Sequence, residues 1–145
     1  MNNRFDIKIT RTSVYLNGEP LKRRYTNSSR KIFLNKDYVV KVEWEEDRTR
    51  LWQCRKEKSL WKILSMRHRK FFVPTLLFVH TREYDYVVQP RVKIRFEKKI
   101  SKRQNAWDDI IGDISYKYGL DDLYVDLWHN WGFCEGRPLI VDYGC

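Results

Sequence analysis

The chain contains no run of eighteen apolar residues, so no segment qualifies as a membrane-spanning helix. Its first residues, Met1-Asn-Asn-Arg, carry no apolar signal segment. A soluble, cytoplasmic protein with no membrane contact is expected. Cysteine is scarce and odd in number: Cys54, Cys134 and Cys145 are widely spaced and form no Cys-x-x-Cys or Cys/His pairing. Neither a disulfide framework nor a zinc site is indicated. His68, His80 and His129 are equally scattered, and there is no internal repeat and no low-complexity segment. Acids are the scarcer charge, with 19 Asp and Glu against 29 Lys and Arg.

At 145 residues the chain is long enough for one domain and short for a two-lobed enzyme. Its +10 charge is uneven: residues 106–145 set Lys117 and Arg137 against eight acids, leaving −6 there and +16 before it. A basic body with an acidic end suits a polyanion held by the first part and a metal held by the second. The same basic face also suits plain solvation, and it attracts nucleic acid non-specifically.

Along the chain, Phe5, Ile7 and Ile9 alternate, and Val14-Tyr-Leu16 precedes Asn17-Gly18, a strong hairpin signal. Lys22-Arg-Arg-Tyr25 leads into Thr26-Asn-Ser-Ser-Arg30, a small polar loop without glycine. Asn27, Ser28 and Ser29 could offer N–H and hydroxyl donors to an anion, or form a plain turn. Ile32-Phe-Leu34, the turn Asn35-Lys-Asp37 and Tyr38 to Trp44 read as the clearest β-hairpin.

Lys41 lies among Val39, Val40 and Val42 on the second strand of that hairpin. A lysine in an apolar run either needs a partner or lies on a solvent face with its stem covering apolar surface. Asp47 to Ser65, free of Gly and Pro, reads as one helix whose apolar face holds Gln53, Cys54, Glu57, Leu60, Trp61 and Leu64. Glu57 in the middle of that stripe either pairs with Lys41 or sits at its edge, screened by Lys58 or Lys62. Arg67-His-Arg-Lys70 reads as a basic connector. Two more strands follow, Thr75 to Thr81 and Tyr84 to Val88, and Gln89-Pro90-Arg91 ends the ladder because proline cannot donate within it. After a basic connector, Trp107 to Tyr118 reads as a helix stopped by Gly119.

The last twenty residues read as a polar loop carrying Asp126 and Asn130, then a hairpin. Trp131 to Phe133 turns at Glu135-Gly136 into Pro138 to Val141, which delivers Asp142 to its end. A carboxylate at a strand end, facing a loop with a second carboxylate and an amide, can hold a divalent cation through hard oxygen ligands.

Asn130-Trp-Gly and Gly136-Arg-Pro-Leu-Ile-Val-Asp-Tyr-Gly144 resemble the catalytic loop and Asp-Phe-Gly metal site of the protein-kinase-like fold, and small bacteriophage kinase-like proteins in particular. Val39-Val-Lys41-Val resembles the family's Val-Ala-Ile-Lys strand. The resemblance covers about residues 25–144. It implies an α+β fold with a five-stranded antiparallel N-lobe and one αC-like helix (1–92), then a reduced C-lobe (93–145) ending at Asp-Tyr-Gly. It also implies ATP and Mg²⁺ as cofactors. Lys41 would hold the α/β-phosphates and pair with Glu57, and Asn27, Ser28 and Ser29 would occupy the phosphate-loop position. Gln89 and Arg91 would lie at the adenine hinge, Asn130 and Asp142 on the metal, and Asp126 would be the base.

Two departures separate the chain from the family pattern. Only Leu127, Trp128 and His129 lie between Asp126 and Asn130, where the family has four residues, so Asp121 or Asp122 is an alternative base. The sequence also stops one residue after Asp-Tyr-Gly, without an activation segment. The expectation is therefore a pseudokinase-like module that binds and modulates a host protein. The alternatives are an active phosphotransferase on a protein or small molecule, and a basic nucleic-acid-binding protein.

Overall fold

A computed structural model describes residues 5–25, 29–93, 110, 112–120, 131–134 and 137–141. It is an α+β structure built on two antiparallel sheets stacked face to face, with helices on the far side of the larger one. The smaller sheet joins β1 (Ile7–Ile9), β2 (Val14–Leu16) and β3 (Glu19–Pro20) in that order. Asn17 and Gly18 turn β2 into β3 with φ of 51° and 82°, the paired positive values that an Asn-Gly hairpin turn requires.

The larger sheet contains β4 (Lys22–Arg24), β5 (Lys31–Leu34), β6 (Tyr38–Trp44), β7 (Leu77–His80) and β8 (Tyr84–Pro90), in the order β4-β5-β6-β8-β7. Every neighbouring pair is antiparallel. The β5–β6 turn is fixed by Asn35, whose Oδ1 accepts from the backbone N–H of Asp37 (2.8 Å) and Tyr38 (2.7 Å). Contrary to the expected break at Gln89, the ladder runs on to Tyr38↔Pro90. Proline is tolerated there because β7 pairs no further than Val88, which leaves β8 an edge at Pro90.

Strand alternation sorts β6 and β8 into two unlike faces. Tyr38, Val40, Val42 and Trp44, with Tyr84, Tyr86 and Val88, pack against Val14, Leu16 and Leu21 under the smaller sheet. The other face of the same strands carries Lys41, Glu43, Asp85 and Gln89, all buried. It is covered by α1 (Glu45–Leu51) and α2 (Gln53–Ile63).

The single helix expected over Asp47 to Ser65 is thus two. Trp52, with φ 51° and ψ 40°, ends α1 by donating to the Arg48 carbonyl (2.9 Å) and starts α2. Left-handed backbone at a non-glycine residue costs about 1–2 kcal/mol. The compensation comes from β6: the buried Glu43 carboxylate accepts from the N–H of Gln53 (2.9 Å) and Cys54 (3.2 Å), donors that a helix start leaves unsatisfied. The Arg67–Lys70 connector likewise contains a short helix, α3 (Met66–Arg69), capped by Ser65, whose hydroxyl accepts from the His68 N–H.

A second core closes the lower end. Leu60 and Leu64 meet Phe71, Phe72, Ile114 and Ile140, with Tyr118 and Leu120 packed around them. Residues 112–118 are helical, and Gly119 (φ 68°) lets the chain leave that helix. β9 (Trp131–Cys134) and β10 (Arg137–Ile140) form the expected terminal hairpin. β10 docks on the segment after α3: the Ile140 N–H donates to the Phe71 carbonyl (2.7 Å), and the Val73 N–H to the Ile140 carbonyl (2.9 Å). No helix of the described residues is long and apolar enough to cross a membrane.

Candidate functional site

Three elements distant in sequence meet at one amine. Lys41, on the third strand of the five-stranded sheet, faces α2 because its neighbours Val40 and Val42 face the opposite core. Its Nζ donates to Glu57 Oε1 (3.1 Å) and to the carbonyl of Val141 (2.9 Å). Glu57 is buried at the second turn of α2, and Val141 follows β10 directly. The β10 docking described above is what brings Val141, the residue before Asp142, within reach of Lys41.

The Glu57 carboxylate is satisfied on both oxygens. Oε1 also accepts from Arg30 Nη2 (2.7 Å), and Oε2 accepts from Gln89 Nε2 (3.3 Å). All four side chains are buried, which makes the cluster expensive to form and expensive to break: removing one partner of a buried pair leaves a charge with nothing to balance it. Each member consequently fixes the others' positions. Cys54, one turn before Glu57, is a structural thiol. Burial above all, offset in part by Arg30, pushes its pKa up to about 12. Its Sγ faces the Lys41 carbonyl at 3.6 Å and Arg30 Nη1 at 3.9 Å.

A second buried cluster anchors α1. Arg48 Nη1 donates to Asp85 Oδ1 (2.8 Å) and to the Thr81 carbonyl (2.6 Å), while Nη2 donates to the Arg82 carbonyl (2.8 Å). His80 Nδ1 lies 2.6 Å from the same Asp85 oxygen. These contacts clamp the β7–β8 turn to α1.

The structure brings together Lys41, Glu57 and Gln89 of the expected site residues. Gln89 enters through its side chain, drawn inward to Glu57. Arg91 is turned elsewhere: its N–H donates to the Asp37 carbonyl (2.8 Å) and its Nη1 to the Asn35 carbonyl (3.0 Å), so the exposed side chain braces the β5–β6 turn. Ser29 Oγ reaches Gln53 Oε1 (3.4 Å) at the start of α2. Asn27, Ser28, Asp126, Asn130 and Asp142 lie outside the described residues. Among the described residues no group of three His, Cys, Asp or Glu side chains could hold a metal ion.

Sequence reasoning missed Arg30 and Glu43. Glu43 left a signal, since it alternates with Lys41 in the run Val42-Glu43-Trp44 and an acid on that face needs donors. Arg30 left only its position immediately before an apolar strand. No protein-family model and no curated protein matches the chain.

Proposed function

We propose that the chain is a kinase-like module that holds the phosphates of a nucleotide at Lys41 and acts chiefly by engaging a protein partner, as a pseudokinase-like regulator. The observation that carries the reading is the meeting at the Lys41 amine of the α2 carboxylate and the residue preceding Asp142. A lysine on the third strand paired to a glutamate of the following helix is the arrangement that protein kinases use to hold nucleotide phosphates. Here that pair stands beside the backbone that leads into Asp-Tyr-Gly.

The described part of the site suits a phosphate. Lys41 Nζ has three donors, two are taken by described groups, and the third can serve an anionic oxygen. Glu57 and Arg30 hold the amine's surroundings rigid, so little ordering is left to be done on binding. Bound nucleotide and Mg²⁺ would supply a transferable phosphoryl group and neutralise its charge, with Asn130 and Asp142 the residues assigned to the metal by resemblance. The resemblance to bacteriophage kinase-like proteins makes a host protein the partner class.

The intact Lys41–Glu57 pair supports a second reading, an active ATP-dependent phosphotransferase with Asp126 as base, because this pair must be formed for phosphoryl transfer. The test is thermal unfolding with ATP, with and without Mg²⁺. At a hundred times its dissociation constant, ATP should stabilise the fold by about 2.7 kcal/mol. No shift under either condition removes nucleotide binding from the proposal. Phosphate release or transfer that depends on Asp126 selects the enzyme over the regulator.

A further inference from the structure

Between Asp47 and Glu83 the chain holds one acid, Glu57, and that acid is buried inside the Lys41 cluster. The surface of α2 and α3 is therefore cationic, with Lys56, Lys62, Arg67 and Lys70 among its exposed residues. Two large apolar side chains stand in the middle of it: Ile63, at the end of α2, is 67% exposed, and Met66, at the start of α3, is 89% exposed. They flank the joint Leu64-Ser65, where Leu64 turns inward to the lower core.

Several cations nearby are already occupied. Arg55 lies 4.3 Å above the Trp52 ring and Arg69 4.9 Å above Trp61. Lys62 and Arg67, which bracket the apolar pair, have no ion pair among the described residues. Burial, then Lys117 and Arg67, hold the His68 pKa below its ordinary value, and Asp113 only partly opposes them.

We infer that this α2–α3 face is a docking surface for an acidic protein segment that carries apolar side chains among its carboxylates. Solvation alone does not account for Ile63 and Met66, since exposing them gains nothing for solubility. A phosphate backbone would satisfy Lys62 and Arg67 but offers nothing apolar to the pair between them. An acidic protein segment meets both requirements, and methionine is enriched at protein interfaces, where its flexible thioether adapts to the partner. The inference does not depend on nucleotide binding, because none of these residues belongs to the Lys41 cluster.

The test uses the full chain without nucleotide. One fluorescein-labelled peptide alternates Glu and Asp with Leu and Phe, and a second has the same charge with Ser at every apolar position. A short DNA duplex and phosphatidylserine-containing vesicles are titrated alongside. The apolar-acidic peptide should bind about tenfold more tightly than its Ser counterpart, the gain expected from burying one or two apolar side chains. I63S/M66S should erase that difference, and K62E/R67E should abolish binding of both peptides. All four residues are exposed, so unchanged thermal unfolding of each variant certifies the fold. The inference is overturned if the two peptides bind alike, if neither binds, or if DNA or vesicles bind more tightly through Lys62 and Arg67.

Discussion

Arg30 lies closer to Glu57 than Lys41 does, 2.7 Å against 3.1 Å to the same carboxylate oxygen. The buried carboxylate is thus shared between two cations, one just before β5 and one in the middle of β6, and the three charges form one unit. Glu57→Gln should cost the most, on the order of 3–5 kcal/mol, because it strips the counter-charge from two buried cations at once. Arg30→Met and Lys41→Met should each cost less, since Glu57 keeps one cation and the Gln89 amide. Urea denaturation of the single and double variants should show couplings of about 0.5–3 kcal/mol for both pairs. Additive losses would remove Glu57 from the centre of the site.

Glu43 should matter to helix α2 more than to the sheet that carries it. Its carboxylate serves two backbone donors at the helix start, so Glu43→Ala should destabilise by about 1–3 kcal/mol. Glu43→Gln keeps one acceptor oxygen and should lose clearly less. Hydrogen exchange locates the effect: faster exchange at Gln53 and Cys54 with β6 unchanged is the expected pattern, and uniform loosening would contradict it.

On the proposed reading, ATP titration separates the roles of Lys41 and Asp142. Lys41→Met should abolish ATP stabilisation with or without Mg²⁺. Asp142→Asn keeps shape and hydrogen-bonding capacity without the charge, so it should remove only the Mg²⁺-dependent part. Isothermal titration of ATP into wild type and both variants distinguishes these outcomes. Equal losses in the two variants would contradict the division.

His68 makes a specific contribution to the pH dependence of stability. Burial first, then Lys117 and Arg67, place its folded pKa below the unfolded value, while Nδ1 lies 2.7 Å from the Tyr118 hydroxyl. Its contribution is full above the ordinary histidine value of about 6.5 and is lost as the pH falls from there towards the folded pKa, because the unfolded chain takes up the proton more readily. In His68→Gln the decline as the pH falls below about 6.5 should be shallower than in wild type. Parallel curves for the two proteins would assign the decline to other groups.

How much of this was readable in the sequence follows from where each constraint originates. Lys41 and Glu57 declared themselves because each puts a charge into an apolar pattern, and such a charge demands a partner. Four strands of the larger sheet, β5 to β8, and the terminal hairpin were likewise carried by local alternation and turn residues, whereas the five-stranded sheet as such was implied by the resemblance and β4 (Lys22–Arg24) was read as the approach to a loop. The break at Trp52 was not readable, since residues 47–65 suit one helix and the interruption is imposed by Glu43 from another strand. Arg48 reads as an ordinary surface residue of a charged helix, and only the position of Asp85 on a strand 37 residues later buries it. Arg30 was hidden for the same reason, with its partner 27 residues away on α2.

The hydrogen bond from Lys41 to Val141 joins residues 100 positions apart, whereas Lys41 and Glu57 are separated by 16. Closing the longer loop costs more chain entropy. During synthesis the sheet and α2 can pair their charges while the terminal hairpin is still inside the ribosome. The Lys41 amine gains its bond to the Val141 carbonyl only once β10 emerges and docks. A nascent chain stalled before β10 would already carry the Lys41–Glu57 pair, and with it a half-built site.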